Sequence, residues 1–385
     1  MLRFAAASVL FLHLATACGG SADAAGPDAG DGPDGGEPSD APAAAAPGTV
    51  LDRASTGRTF RRTLDAARNL QQFDDGIRVG LTGEPVALGT VLRGELHGDL
   101  VVATQRPNQT VATPPQYCRF DVSTGQLDAT FGDAGCVSAP RPYFSSIGIV
   151  KVADGYRAIV ERNCSNGCTD AEEAFGLIKI SDDGVLDTSF GTEGIQYSTV
   201  LPEISALDVA AQSTGDLVIT GYTGLYQMKL FRIHADGSLD TTFGTDGFVP
   251  GANGGRIRVL ADDTILLEST YNGVERIDHY SKDGATITGI DLEALTSSTF
   301  DNNFNQTAAD LDANGRLVIG YTRSDTDEGP KHHFVMRVLA TGQRDTSFTS
   351  PNLGDGDANW IYGIGFDPEG RVIAGVGSDV VHLQP

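Results

Sequence analysis

From about residue 49 onward, short apolar runs alternate with polar turns, and no stretch sustains a helical period. Six apolar runs begin at Gly or Asp, at intervals of 48 to 60 residues: 98–102, 155–160, 215–219, 263–267, 315–319 and 370–374. Segments of period-two alternation, such as 204–211 and 228–234, flank them. Short alternating runs separated by Asp-Gly and Asn-Gly turns are typical of antiparallel hairpins, so the pattern predicts an all-β domain.

A short phrase recurs between these predicted strands. Full copies of Leu-Asp-x-Ser/Thr-Phe-Gly-x-x-Gly lie at 127–135, 186–194 and 239–247, and a truncated copy lies at 344–348. Degraded copies at 70–76 and near Ile290 complete a series whose members are 47 to 59 residues apart. Such a period predicts a β-propeller of about six four-stranded antiparallel blades, and the strand-like segments 48–51 and 59–62 leave seven as the alternative.

We expect the ring to close between the two ends of the domain. The chain ends on Val380-Val381-His382-Leu383, which predicts a third strand with no fourth strand after it. The fourth strand near Phe73 has no blade of its own in this assignment. Pairing the two would remove an open sheet edge, so we predict that the segment around Phe73 completes the last blade.

The phrase itself is interpreted as structural. Its phenylalanines, Phe131, Phe190, Phe243 and Phe348, are predicted to wedge between neighbouring blades. Burying one such side chain contributes about 2 to 3 kcal/mol. Its glycines are expected at positive φ in a tight turn, and its Asp is expected to accept hydrogen bonds from turn N–H groups.

The segment Asp236-Gly237-Ser238-Leu239-Asp240-Thr241-Thr242-Phe243-Gly244-Thr245-Asp246-Gly247 resembles the delta-60 repeat of bacterial exported proteins. It matches that repeat's form, Asp-Gly-x-Leu-Asp-x-x-Phe-Gly-x-x-Gly, at every defined position, and the resemblance covers roughly residues 50–385. It implies a propeller-like fold in an exported protein. It implies no catalytic or ligand-binding residue.

Residues 1–18 have the features of an export signal. Arg3 precedes an apolar stretch at 4–14, and Ala15-Thr16-Ala17 supply small residues before Cys18. A small-residue run that ends in Cys resembles the lipobox of bacterial lipoproteins, which implies lipidation of Cys18, although Ala15 stands where that motif usually has Leu. An ordinary secretory signal is the alternative. Since Gly19 is not Asp, the resemblance implies an outer-membrane or cell-surface location, with a periplasm-facing one as the alternative.

Residues 19–48 are predicted to form a disordered acidic tether. The segment is rich in Gly, Ala, Pro, Ser and acidic residues, and it contains no Lys, no Arg and no aromatic side chain. Such a composition buries too little apolar surface to offset its ordering entropy. The predicted organisation is therefore a signal at 1–18, a tether at 19–48 and a propeller at 49–385.

The chain is strongly acidic, with 51 Asp and Glu residues, 27 Lys and Arg residues and a formal charge of −24. Nucleic-acid binding needs a basic surface, so this charge argues against a nucleic-acid partner. It also disfavours electrostatic docking on anionic lipid, so we expect membrane contact only through the lipid anchor. The expected state is a monomer.

Four cysteines remain after Cys18, an even number in a chain predicted to be exported, so disulfides are expected. Of the three possible connectivities, we favour Cys118 with Cys136 and Cys164 with Cys168. The first pair would join adjacent strands, and the second would lie within one loop. A thiolate metal site is the weaker alternative, because the chain has no Cys-x-x-Cys pair.

Catalytic and metal-binding motifs are missing from the sequence. It has no His-Glu-x-x-His, no Gly-x-Ser-x-Gly and no phosphate-binding loop. Asp-rich segments such as 325–328 and 354–357 do not match the calcium loop. His332 and His333 are adjacent on a predicted strand and so point to opposite faces. We expect no metal, no catalytic residues and no cofactor, with loop-bound calcium as the minor alternative.

These features favour an exported, lipid-anchored propeller that serves as a binding or scaffold module at the cell envelope, for a protein or glycan the sequence does not identify. The alternative is a propeller enzyme, a hydrolase or lyase that acts on glycans at the central channel. A cluster of His, Asp and Arg at one mouth of the channel would favour the enzyme. A mouth lined by aromatic side chains and uncharged loops would favour binding.

Overall fold

The computed structural model describes residues 45–56, 58–65, 70–73, 76–79, 86–87, 90–97, 100–106, 114–121, 126–141, 144–162, 175–198, 204–223, 227–252, 254–271, 274–291, 295, 304–324, 329–339, 341–356 and 360–385. The chain separates into Met1–Ala44 and Ala45–Pro385, and the second unit is the propeller. The predicted signal, Cys18 and nearly all of the tether lie outside the described residues. Within the described residues, no helix has the length and apolar character needed to cross a membrane.

The described strands are short and closely spaced along the chain. They are β1 (Val50–Ser55), β2 (Phe60–Asp65), β3 (Leu70–Phe73), β4 (Gly76–Val79), β5 (Val86–Ala87), β6 (Thr90–His97), β7 (Leu100–Arg106), β8 (Gln116–Asp121), β9 (Gln126–Leu127), β10 (Cys136–Ser138), β11 (Phe144–Val152), β12 (Gly155–Arg162), β13 (Gly176–Ile180), β14 (Gln196–Tyr197), β15 (Ser205–Ala211), β16 (Leu217–Tyr222), β17 (Met228–Ile233), β18 (Gly255–Val259), β19 (Ile265–Tyr271), β20 (Val274–Tyr280), β21 (Thr286–Asp291), β22 (Phe304–Leu311), β23 (Leu317–Ser324), β24 (Lys331–Val338), β25 (Asn352–Asp355), β26 (Ile361–Phe366), β27 (Val372–Val376) and β28 (Asp379–Leu383). The predicted fold class, an all-β propeller of four-stranded antiparallel blades, about six with seven as the alternative, is confirmed.

Among the described residues, the strands form six hydrogen-bonded sheets. Five are single blades built from consecutive strands, such as β11-β12-β13-β14 and β18-β19-β20-β21. The sixth has eight strands in the order β1-β28-β27-β26-β2-β3-β4-β5. It consists of two four-stranded halves that meet where β2 runs parallel to β26, at Arg62 and Ile364. When the two halves of this sheet are counted separately, the described strands form seven units, and each unit begins with one inner strand.

The ring closes through the N-terminal strand. β1 pairs antiparallel with β28, with Arg53 opposite Val381. The Gly48 N–H donates to the Gln384 carbonyl over 2.8 Å, and the Gln384 N–H donates to the Thr49 carbonyl over 2.9 Å. The last four-stranded unit is thus completed from the other end of the chain.

The prediction that the segment around Phe73 closes the ring is wrong. Leu70–Phe73 is β3, a second strand that pairs with β2 and β4 in a unit of its own. Phe73 packs edge-on against Phe60, with ring centres 5.9 Å apart. Asp74 follows Phe73 where the repeated phrase has Gly, so the sequence lacks the glycine that the tight turn of the phrase uses at that position.

The core is divided among the interfaces between neighbouring units. Each described cluster of buried apolar side chains draws on two consecutive units. One cluster, for example, joins Val218 and Leu230 of one sheet to Ile265 and Leu267 of the next. Strands buried on both faces explain the continuous apolar runs in the second-strand segments.

Candidate functional site

The repeated phrase forms tight turns that precede each short fourth strand. In the copy around Asp240, the carboxylate accepts hydrogen bonds from the Thr242 N–H at 2.9 Å and from its hydroxyl at 2.6 Å. The Phe243 N–H donates to the Asp240 carbonyl over 3.2 Å. Asp128, Asp187 and Asp345 make the same contacts to the residue two positions on. The expected role of the Asp as a turn acceptor is therefore observed.

An arginine from the third strand, which the sequence analysis missed, completes this arrangement. Arg232 Nε donates to Asp240 Oδ2 over 2.7 Å, and its guanidinium carbon lies 4.8 Å from the centre of the Phe243 ring. Equivalent groups are Arg119 with Asp128 and Phe131, and Arg337 with Asp345 and Phe348. The available signal was a basic residue eight or nine positions before the Asp of each phrase, with Lys179 in the remaining copy.

The phenylalanines of the phrase lie between units, although not equally deeply. Phe131 and Phe243 are fully buried, Phe348 is 3% exposed, and Phe190 is only partly buried. Two copies also contact the Asp-Gly turn of the next unit: the Gly132 N–H donates to the Asp183 carbonyl over 2.8 Å, and the Gly244 N–H donates to the Asp283 carbonyl over 2.9 Å. Gly244 has φ +59°, and a Cβ there would lie 2.2 Å from the Phe248 carbonyl oxygen. The phrase therefore joins neighbouring units.

Two of the four cysteines that follow Cys18 lie within the described residues. A disulfide joins Cys118 on β8 to Cys136 on β10, with 4.1 Å between their Cα atoms. The two residues lie directly opposite each other in the strand register, as expected for a bond between neighbouring strands. Cys164 and Cys168 lie outside the described residues, so their pairing stays a prediction.

One group of metal-ligating side chains converges among the described residues: Asp216, His234 and Asp240. His234 Nδ1 lies 2.8 Å from Asp216 Oδ1, and this contact raises the pKa of the imidazole above its ordinary value. Asp240 is already engaged by Thr242 and Arg232. The three side chains are best explained as an ion-pair cluster at the edge of a sheet.

The paired histidines contact different partners. His333 is buried, with Nδ1 2.8 Å from Thr322 Oγ1 and Nε2 2.9 Å from the Gly356 carbonyl oxygen. His332 Nδ1 lies 2.6 Å from Asp355 Oδ1. Asp355 thus contacts His332, whereas the segment 325–328 and Asp357 lie outside the described residues.

The inner strands surround a central channel with a cavity of about 790 Å³. In several of these strands the register slips by one residue at the same place, as between Phe60 and Arg62 and between Ile361 and Gly363. The extra residue of such a bulge is turned out of the regular alternation. The bulge residues with described side chains are Arg61, Ile147, Leu207 and Tyr362, and all of them line the channel.

Four arginines line the same cavity: Arg61, Arg62, Arg256 and Arg258. Arg258 pairs with Asp310 and also donates to the Ala309 carbonyl over 2.9 Å. Arg62 Nε donates to Gln72 Oε1 over 3.1 Å. Arg61 forms no ion pair with a described residue, and its guanidinium carbon lies 5.4 Å from the centre of the Tyr362 ring. This convergence of cations stands out in a chain with a formal charge of −24.

Three carboxylates face these arginines. Asp208 accepts the N–H groups of Val209 at 2.9 Å and of Ile257 at 2.8 Å, which ties two inner strands together. Burial raises the pKa of Asp310, and the neighbouring Arg258 opposes that rise. Glu268 lies opposite Arg256 in the register of β18 and β19. Burial raises the pKa of Glu268 to about 7, against the opposing effect of Arg258 and Arg256. The channel thus combines fixed cations with a group that titrates near neutrality.

A family model described as domain of unknown function (DUF5122) beta-propeller matches residues 212–243. The match includes Asp236 to Phe243, on which the resemblance to the delta-60 repeat rests. A search of curated proteins finds no match.

Among solved structures, the chain is similar to the WD40 beta propeller domain of Doa1, at 10% identity and a TM-score of 0.46, over 87% of this chain and 96% of that one. It is similar to Porphyromonas gingivalis dipeptidyl peptidase 4 at 12% identity and a TM-score of 0.47, over 83% of this chain and 56% of that one. It is also similar to the Pseudomonas aeruginosa periplasmic gluconolactonase PpgL, at 14% identity and a TM-score of 0.46, over 82% and 87%. Similarities at this level carry no argument about function.

Proposed function

We propose that this chain is an exported, lipid-anchored binding module whose ligand occupies the central channel. The observation that carries the proposal is the set of bulges that turn Arg61, Ile147, Leu207 and Tyr362 into one cavity. Each bulge interrupts regular pairing in an inner strand and re-aims a side chain. Concave sites that combine apolar walls with a few polar groups are typical of ligand binding.

A thermal-shift screen of a soluble form that begins at Gly19 tests the binding proposal. The panel contains neutral and acidic sugars, other small organic acids, calcium, other divalent metals and EDTA. A ligand at about 100 times its dissociation constant adds about 2.7 kcal/mol, which corresponds to a rise of the order of 5 °C in Tm. We expect at least one ligand to produce such a shift.

Two matched variants localise the effect. Leu207→Trp fills the channel and should abolish the shift, whereas Ile287→Trp adds the same side chain at another exposed apolar position and should preserve it. A flat response to the whole panel, or a shift that survives Leu207→Trp, would contradict a channel ligand.

The anchor is tested separately. The apolar stretch at 4–14, the small residues before Cys18 and the acidic segment at 19–48 support lipidation followed by a tether. We expect Cys18→Ser to abolish incorporation of labelled palmitate and to move the protein from the membrane fraction to the soluble fraction. Cys164→Ser, the control, should leave both unchanged. Labelling that persists in Cys18→Ser, or wild-type protein that is processed without lipid, would indicate an ordinary secretory signal.

The enzyme alternative uses the same cavity. Its favourable observation is the pair of carboxylates with raised pKa, Glu268 and Asp310, next to arginines. The described lining contains Arg, Asp and Glu but no His, so the predicted cluster of His, Asp and Arg is present only in part. Product formation from a glycan in the screened samples would assign catalysis to the channel.

A further inference from the structure

We propose that the channel ligand is an oxyanion, a small organic carboxylate or phosphate, which binds at Arg61 and Arg256 with uptake of a proton by Glu268. This inference rests on the proposed channel site and deepens it by naming the chemical class of the ligand. It is carried by the charge balance of the cavity, the contacts of Arg61 and the position of Glu268.

Among the described residues, arginines outnumber carboxylates around the cavity. Four arginines line it, and they face the three carboxylates of Asp208, Glu268 and Asp310 among the described residues. Protonation of Glu268 would remove one of these three negative charges. A group of arginines inside a chain with a formal charge of −24 creates a local attraction for an anion.

Arg61 is the cation best placed for a ligand. It is the extra residue of the β2 bulge, it is exposed to the channel, and no described carboxylate pairs with it. The Tyr362 ring lies beside its guanidinium and orients it. A guanidinium presents paired N–H donors that match the oxygens of a carboxylate or phosphate. The unsatisfied fork of Arg61 therefore favours an oxyanion over a neutral ligand.

Glu268 couples this site to protons. The charged groups that face it are Arg256 and Arg258 on β18, Asp208 on β15 and Asp310 on β22. An incoming anion adds a further negative charge, which favours the neutral form of Glu268. Below pH 7 Glu268 is already protonated, whereas above pH 7 binding has to take up a proton. Affinity should therefore rise as pH falls, by at most about tenfold per pH unit for one proton.

Calorimetric titration with three probes that share one sugar skeleton tests the inference: glucose, glucuronate and glucose 6-phosphate. The protein is the soluble form that begins at Gly19, measured one pH unit below and above the Glu268 pKa of about 7, in buffers of different ionisation enthalpy. We expect glucuronate or glucose 6-phosphate to bind more tightly than glucose by about tenfold or more. Comparison of the two anions distinguishes carboxylate from phosphate. Binding should be tighter at the lower pH, with measurable proton uptake at the higher one.

Variants separate the two parts of the proposal. Arg61→Gln removes a cation without breaking an ion pair to any described residue, so anion affinity should fall about tenfold or more while Tm and any weak glucose binding stay unchanged. Glu268→Gln should abolish the pH dependence. Glu161→Gln is the matched control, because burial also raises the pKa of Glu161 to about 7 but its side chain does not line the cavity.

Three results would overturn the inference. Glucose binding as tightly as the two anions would rule out an oxyanion site while leaving a binding module intact. No binding of any of the three at millimolar concentration would also rule it out, and the wider screen then decides separately whether the channel binds anything else. Anion binding that is independent of pH, or unchanged pH dependence in Glu268→Gln, would remove Glu268 from the site.

Discussion

Phe243→Ala will lower the free energy of unfolding by about 3 to 5 kcal/mol, the range for removing a buried aromatic ring. Phe243 is fully buried in a cluster that joins one sheet, through Val218 and Leu230, to the next, through Ile265. Truncation would leave a cavity at that interface and would also remove the ring contact of Arg232. Urea unfolding of the soluble chain, monitored by far-UV circular dichroism, measures the change.

Phe190→Ala is the matched control, because Phe190 occupies the same position of the phrase in another unit and is only partly buried. Phe190→Ala should lower the free energy of unfolding clearly less than Phe243→Ala does. Equal losses for the two variants, or an unchanged unfolding curve for Phe243→Ala, would show that the ring does not act as a wedge between units.

Arg232→Met is expected to lower the free energy of unfolding by about 3 to 5 kcal/mol, as when one partner of a buried ion pair is removed. The Arg232 and Asp240 side chains are 9% and 6% exposed. Arg232 also donates to the Gln212 side chain over 2.9 Å and to the Lys282 carbonyl over 2.8 Å. Its loss therefore leaves a carboxylate uncompensated inside the protein and removes a hydrogen bond to the next unit.

Lys179→Met provides the comparison. Lys179 and Asp187 hold the equivalent positions, but they are 3.8 Å apart and 30% and 33% exposed, so the change in stability should be much smaller. The double variant Arg232→Met/Asp240→Asn should regain part of the stability, because no buried charge is left without a partner. If Arg232→Met were as stable as wild type, the Arg232–Asp240 pair would be energetically neutral.

Acid titration gives a second readout for the same pair. Burial would raise the pKa of Asp240, but the Thr242 hydrogen bonds and the Arg232 guanidinium outweigh it and lower the pKa from 3.8 to about 2. Since the folded-state pKa is depressed, the contribution of the pair to stability is present above pH 3.8 and is lost as the pH falls toward 2. In Arg232→Met this loss should begin at a higher pH.

The fold was largely predictable from the sequence because its local signals agree with each other. The apolar runs at 215–219 and 315–319 became second strands β16 and β23, and the Asp-Gly turns fell between third and fourth strands as expected. The error at Phe73 arose where the repeat is degraded. There the choice between a second and a fourth strand depends on which strands pair, and pairing is set by contacts far along the chain.

The site was less predictable than the fold. The arginine partners of the phrase had a spacing signal, because a basic residue precedes each Asp by eight or nine positions. The channel had no such spacing signal within any one segment of the sequence. Arg61, Leu207, Arg256 and Tyr362 come from separate strands up to 301 residues apart, and each is placed by a bulge or by a neighbouring strand. Only the closed ring brings them together.

The closure by β1 also has a consequence for the order of assembly. β1 is made long before its partner β28, and the Arg53–Asp379 contact spans 326 residues. The first strand must therefore wait with an unpaired edge until β28 has been made. Contacts of such long sequence separation are slow to form and leave strand edges exposed meanwhile. Closure of the ring thus depends on β28, since a chain that lacks Asp379–Leu383 has no partner for β1.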